Sequence, residues 1–200
     1  MKFRDLGHQP LPVIWAEMRS FTDARTLETP DEVWFVQHPP IYTLGMNADP
    51  RHVLEPGDIP VQQIDRGGQV TYHGPGQLVA YTLIDLRRRG LTVRGLVDQL
   101  ESAVVDAVAL YGVTAQGQSD ARGVYVGGAK LAALGLRVRR HCSYHGIAVN
   151  VAMDLEPYRR INPCGYTALE VTQLSDLCGM ASIPQLQLDL QRALERRFSE

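Results

Sequence analysis

Lys130-Leu131-Ala132-Ala133-Leu134-Gly135-Leu136-Arg137-Val138-Arg139-Arg140 and, four residues later, His145-Gly146-Ile147-Ala148-Val149-Asn150-Val151 decide the fold. Leu134, Leu136 and Val138 share one parity while Arg137 and Arg139 take the other, which is the period of a strand. His145, Ile147, Val149 and Val151 alternate again, so the two runs form a hairpin joined near His141 to Ser143. Upstream, Val124-Tyr125-Val126 enters through Gly127-Gly128, and Leu78 to Leu86 is apolar on both parities, as a central strand covered on both faces would be. Val33 to Val36, Ile41 to Leu44, Pro60 to Ile64 and Gln69 to His73 are further strands. Helical spacing marks Pro12 to Leu27, Val93 to Tyr111 with Gly112 as its stop, a short segment around Val171 to Leu177, and Pro184 to Phe198. Strands outnumber helices and the long helices are separated, which predicts an α/β fold of the α+β type, a mixed sheet layered with helices.

The chain has 200 residues, 44% of them hydrophobic and 21% charged, with a net charge of -2. That is enough apolar material for one domain spanning residues 1–200, and it excludes a disordered or fibrous chain. No apolar run approaches the roughly 20 residues of a membrane span. Met1-Lys2-Phe3-Arg4-Asp5 has no apolar stretch behind it, so no signal peptide is expected. Cys142, Cys164 and Cys178 are odd in number and far apart, which points to a reducing compartment, the cytoplasm. Of 20 basic residues only Lys2 and Lys130 are lysines. In a chain that otherwise uses arginine, which in practice cannot release its proton, Lys130 is the position where lysine chemistry is to be sought.

The densest unusual segment is Arg66-Gly67-Gly68-Gln69-Val70-Thr71-Tyr72-His73-Gly74-Pro75-Gly76-Gln77. Its glycines permit left-handed backbone or close approach to a ligand, and two ordinary turns flanking a strand would read the same. Neither the P-loop nor the dinucleotide fingerprint fits it. Cys178 reads as a small core residue at a helix end. Cys142 begins a Cys-x-x-His spacing, but no second ligand pair accompanies it, so no metal site is expected. Cys164 sits between Pro163 and Gly165 on a sharp turn, and Tyr166 to Leu169 could begin a helix favouring a thiolate; spacing leaves nucleophile and turn residue both open. Lys130 shares parity with Leu134, so without a bulge it would point to the core side, paired with a carboxylate, snorkelling or facing a thiolate. His8, His38 and His52 read as surface or turn residues. His73 and His145 could line a pocket.

The glycine-rich segment resembles the signature of the lipoyl(octanoyl) transferase family, also called lipoate-protein ligase B. The resemblance continues at Gly128-Ala129-Lys130-Leu131-Ala132-Ala133-Leu134-Gly135, His145-Gly146-Ile147-Ala148-Val149-Asn150-Val151 and Ile161-Asn162-Pro163-Cys164-Gly165, in family order. It implies the catalytic-domain fold shared by lipoate and biotin protein ligases. It implies an acyltransferase that moves an octanoyl group from octanoyl-acyl carrier protein to a lysine of a lipoyl domain through an acyl-cysteine thioester, the first step of protein lipoylation. The implied nucleophile is Cys164, and the implied residue lowering its pKa is Lys130. The implied substrate pocket is Arg66, Gly67, Gly68, Gln69, Val70, Thr71, Tyr72 and His73 with Ala133, Leu134 and Gly135 and with Gly146, Ile147 and Ala148. The implied acceptors are lipoyl domains of 2-oxoacid dehydrogenase E2 subunits and the glycine cleavage H protein. No cofactor, metal, nucleic acid or membrane is expected, and the chain is expected to act as a monomer.

The residues agree with that chemistry. A thioester donor is already activated, so no ATP is required, and attack by cysteine gives another thioester. An ATP-dependent lipoate or biotin ligase would not need Cys164. A cysteine hydrolase would need His145 or His73 beside the thiol. A lipoyl-domain or carrier-binding module would tolerate loss of Cys164. An acidic carrier protein would be steered by arginines at Arg87-Arg88-Arg89, Arg137-Arg139-Arg140 or Arg159-Arg160.

Overall fold

In a computed structural model, residues 1–118, 120–163 and 169–199 are described. The hairpin is present as β9 (Ala129–Arg139) and β10 (Cys142–Asn150), with Arg140 and His141 turning at φ 50° and 64°. Around it stand β1 (Lys2–His8), β2 (Glu32–Gln37), β6 (Gln77–Leu83), β7 (Gln116–Gly117) and β8 (Gly123–Val126). Their order is β1-β2-β6-β10-β9-β8-β7, antiparallel throughout except for the parallel pair β1/β2. The apolar run from Leu78 lies between β2 and β10, the central place expected of it. A small sheet of order β4-β3-β5 is built from β3 (Ile41–Leu44), β4 (Val61–Gln63) and β5 (Val70–His73).

Both long amphipathic helices, α2 (Val93–Ala109) and α4 (Ile183–Phe198), pack on one face of the large sheet. Leu96, Leu100, Leu186, Leu190 and Leu194 meet Val33, Phe35, Leu78, Ala80, Ile147 and Val149 there. Thr92 caps α2 by accepting from the Gly95 N–H at 3.0 Å. On the opposite face α1 (Leu11–Ala24) sets Ile14 and Met18 against Trp34, Val36, Val79, Tyr81 and Ala148. The small sheet covers the rest of that face, with its own core of Tyr42, Val70, Tyr72 and Tyr158. The short helix α3 (Leu174–Cys178) begins later than expected. Val171 instead bridges in parallel to Lys130.

Two expectations about side-chain placement are corrected. β9 carries a bulge: Val124 faces Ala132 whereas Tyr125 faces Lys130, so Leu131 is the extra residue. Leu131 and Ala132 therefore both turn to the α2/α4 core, and Lys130 goes with Tyr125 to the other face. His38 is not a surface residue. It is fully buried, with its ring bonded at both nitrogens.

Candidate active site

A narrow, mostly apolar cleft runs between β5 with its preceding loop and the strands β6, β10 and β9 of the large sheet. Its walls include Arg66, Gly68, Gln69, Val70, Thr71 and His73 from the first motif, and Ala133, Leu134 and Gly135 from the second. Gly146, Ile147 and Ala148 come from the third. Its empty space, open mouth included, is about 500 Å³. Gly67 and Tyr72 are not among its walls. The Gly67 N–H is spent on the Leu136 carbonyl at 2.9 Å, and Tyr72 packs against Tyr42 and Tyr158. Ile64, Val79, Tyr81 and His145 join the lining. Of these, His145 was legible as a pocket candidate; the others carry no signal beyond apolarity.

The glycine positions have steric reasons. A Cβ on Gly146 would lie 1.9 Å from the Ala80 carbonyl oxygen, so the strands could not stay paired with any side chain there. A Cβ on Gly135 would come within 2.9 Å of the Gly67 carbonyl oxygen, because the loop from Asp65 to Gly68 rests directly on β9. Gly68 has φ 85°, and its carbonyl lies where any side chain on Gly45 would go. Arg66 braces the same loop: its guanidinium donates to the Thr43 carbonyl at 2.6 Å and to the Gly67 carbonyl at 2.9 Å.

The histidines around the cleft are neutral, and their bonds fix which nitrogen holds the proton. His38 Nδ1 meets the Gln9 carbonyl at 2.7 Å and must donate, so Nε2 accepts from the Tyr81 hydroxyl at 2.8 Å. Burial lowers His38 to about 4 despite that carbonyl. Gln77 donates its amide N–H groups to the Tyr72 carbonyl, Asn150 and Tyr158. Its oxygen therefore accepts from His73 Nδ1 at 2.7 Å. Burial, aided by the neighbouring His38, lowers His73 to about 3. Burial also lowers His145, against the pull of Asp65, whose Oδ1 is 2.9 Å from Nε2. Asp65 itself stays ionised: desolvation is outweighed by donors from His145, Tyr144 and Trp15, the last at 2.7 Å.

Lys130, only 3% exposed, lies on the cleft face of β9 beyond Ala133. Its Nζ stands 5.1 Å over the Tyr125 ring and 3.4 Å from the Arg122 carbonyl. Its backbone holds the strand-like residues 170–172: the N–H donates to Glu170 O at 2.8 Å and the carbonyl accepts from Thr172 at 3.0 Å. Asn150 donates to the Thr172 carbonyl from β10 at 3.0 Å. On the other side the Asn162 N–H donates to His52 O at 2.8 Å. Cys164 lies outside the described residues, as do Gly165 and the start of the helix considered at Tyr166. The other two thiols are spent locally: Cys142 Sγ on the Arg140 carbonyl at 3.6 Å, Cys178 Sγ on the Leu174 carbonyl at 3.2 Å. Burial raises the Cys142 pKa, which leaves it a poor nucleophile.

The model of the lipoyl protein ligase A/B catalytic domain matches residues 12–195. An octanoyltransferase of Pseudomonas fluorescens is 55% identical over 196 residues, covering 98% of this chain and 91% of that protein. An octanoyltransferase of Xanthomonas euvesicatoria is 54% identical, covering 98% and 85%. Among solved structures, a lipoate-protein ligase A bound with ATP superposes with a TM-score of 0.83 at 16% identity, covering 100% of this chain and 86% of that one. Biotin protein ligase from Aquifex aeolicus gives 0.60 at 10% identity, covering 100% and 69%; both show a shared fold. With its match spanning nearly the whole chain and relatives above half identity, the chain belongs to the lipoyl protein ligase A/B catalytic-domain family.

Proposed function

We propose that this chain transfers an octanoyl group from octanoyl-acyl carrier protein to a lysine of lipoyl domains, those of 2-oxoacid dehydrogenase E2 subunits and the glycine cleavage H protein, through an acyl thioester on Cys164. One observation carries the reading. Three motifs far apart in sequence line a single apolar cleft, and the strand forming one wall continues to Lys130. The identity above 50% to octanoyltransferases supports the same acyl group.

The reaction proceeds in two halves. The Cys164 thiolate attacks the donor carbonyl; the new C–S bond forms as the bond to the carrier sulfur breaks, and Lys130 gives its proton to the departing thiol. The acceptor lysine, as a free amine, then attacks the acyl-cysteine. A C–N bond replaces the C–S bond, and the proton lost by the amine returns to Lys130, leaving the thiolate ready. The apolar cleft holds the acyl chain while Gly68, Ala133, Gly135, Gly146 and Ala148 leave room for it. The unit acting is the whole of residues 1–200, as a monomer.

Intact mass after mixing with octanoyl-acyl carrier protein, without ATP, tests this. The expected result is one octanoyl adduct that is lost in Cys164→Ala, kept in Cys142→Ala and Cys178→Ala, and discharged by a lipoyl domain. Absence of the adduct, or transfer only when ATP is consumed, overturns the reading.

A further inference from the structure

The cleft has two chemically different ends. At one, Lys130 and Asn150 both bond the segment 170–172, and His73 reaches Asn150 through Gln77. At the other, Gly146 is paired with both Tyr81 and Gly135, and His145 closes the run beside them. On the sheet side Val79, Ala133, Gly135, Gly146 and Ala148 leave a straight path, and Leu134 and Ile147 pack towards α2 and α4. The bulky Tyr81 stands only at the far end, beside Gly146 and His145.

We propose that His145 is the floor of the acyl cleft and sets the length of chain it accepts; this rests on the octanoyl-transfer reading above. Ala148 is paired with Ala133, the last cleft residue of β9 before Lys130, and His145 lies three residues further along β10. At about 3.3 Å per residue that is about 10 Å. An extended eight-carbon chain, advancing about 1.25 Å per carbon–carbon bond, spans about 9 Å from carbonyl to terminal methyl.

A floor must also be rigid and must face the cleft, and the backbone secures both. In an undistorted strand His145 would share the α2/α4 face with Ile147, but its φ of 60° breaks the alternation. The ring comes round to the cleft side, 5.1 Å from the Tyr144 ring and 6.1 Å from the Tyr81 ring. Left-handed backbone in a non-glycine residue persists only where surrounding contacts impose it, and such positions cluster at ligand sites. Ring packing on Tyr81 and Tyr144 supplies most of that contact, and Asp65 adds to it by bonding Nε2 while also accepting from Trp15 and Tyr144.

Two substitutions test this in the full-length chain. Asn tolerates left-handed backbone and is shorter than His, whereas Phe restores the bulk but cannot bond Asp65. Acylation of Cys164 is followed in single turnovers by intact mass, with carrier-bound chains of six, eight, ten, twelve and fourteen carbons. The parent is expected to fall off beyond eight, and His145→Asn to move its optimum to ten or twelve, each accommodated methylene being worth about fourfold. His145→Phe is expected to keep the parental ranking of chain lengths, whatever its absolute rate. A folded Asn variant with the parental ranking, or a Phe variant that favours longer chains, overturns the proposal. If Asn unfolds the chain, as its urea midpoint would reveal, His145→Gly, which also takes left-handed backbone and leaves still more room, carries the same expectation and the same refutation. A parent that takes no acyl group of any length overturns the transfer reading, and the floor with it.

Discussion

At Lys130 one extra residue decides which chemistry the side chain can reach. The bulge at Leu131 turns the ammonium off the α2/α4 core and onto the face shared with the cleft. The lone interior lysine was legible from composition, but its direction was not, because a bulge leaves no mark on hydrophobic periodicity. If the ammonium stabilises a thiolate, Lys130→Met raises the pKa of Cys164, and alkylation of that thiol shifts to higher pH. Lys130→Arg keeps the charge near Tyr125 but holds its proton. It is expected to preserve the alkylation profile while slowing discharge of the preformed acyl-enzyme to the acceptor amine by about 10² or more. An unchanged alkylation profile in Lys130→Met would uncouple the two residues.

Among the elements, the junction of β2, β6 and α4 depends on Asp31. This carboxylate, 3% exposed, accepts from Arg25 at 2.7 Å, Arg88 at 2.5 Å, Arg89 at 2.7 Å and the Asp85 N–H at 2.9 Å. Arg25 also donates to the Leu83 carbonyl, and Arg89 to that of Phe198, so one acid ties the end of β6 to the end of α4. Asp31→Asn leaves the three guanidiniums without their counter-charge and is expected to lower unfolding free energy by about 3–5 kcal/mol, read from urea denaturation. Arg88 and Arg89, two of the three arginines at 87–89, are thus held in structural ion pairs. Elements with strong internal patterns were legible: α2, α4, the β9/β10 hairpin and central β6 all fall within a few residues of expectation. β1 was not. Lys2 to His8 has little apolar periodicity, and its strand state is imposed by parallel pairing to β2 at the sheet edge. His38 was misread for a similar reason, since the Tyr81 hydroxyl that permits its burial comes from a distant strand.

For the whole molecule, buried neutral histidines give stability a pH profile. His38 and His73 take up protons only near 4 and 3, whereas unfolded histidine does so near 6.5. Below pH 6.5 the unfolded chain therefore binds more protons, so stability is complete above that pH and falls as pH drops towards 4. The expected slope is up to about 1.4 kcal/mol per pH unit for each histidine. His38→Gln should flatten it in urea titrations from pH 7 to 5, and an unaltered slope would assign the loss elsewhere. For an acidic carrier, charge is expected to steer the encounter. Reversal at Arg137 and Arg140 is expected to slow acylation more at low salt than at high salt, measured in single turnovers. The strand order has a kinetic consequence too. β9 and β10 are sequence neighbours and can pair early, but the cleft needs β6 between β10 and β2, as in Phe35 opposite Ala80 and Ala80 opposite Ile147. Such distant pairings close large loops before they are rewarded, which places refolding in the millisecond-to-second range rather than microseconds. During that interval the hairpin's apolar faces stand uncovered, so a newly made chain is most prone to self-association before β6 docks, and acyl binding can begin only afterwards.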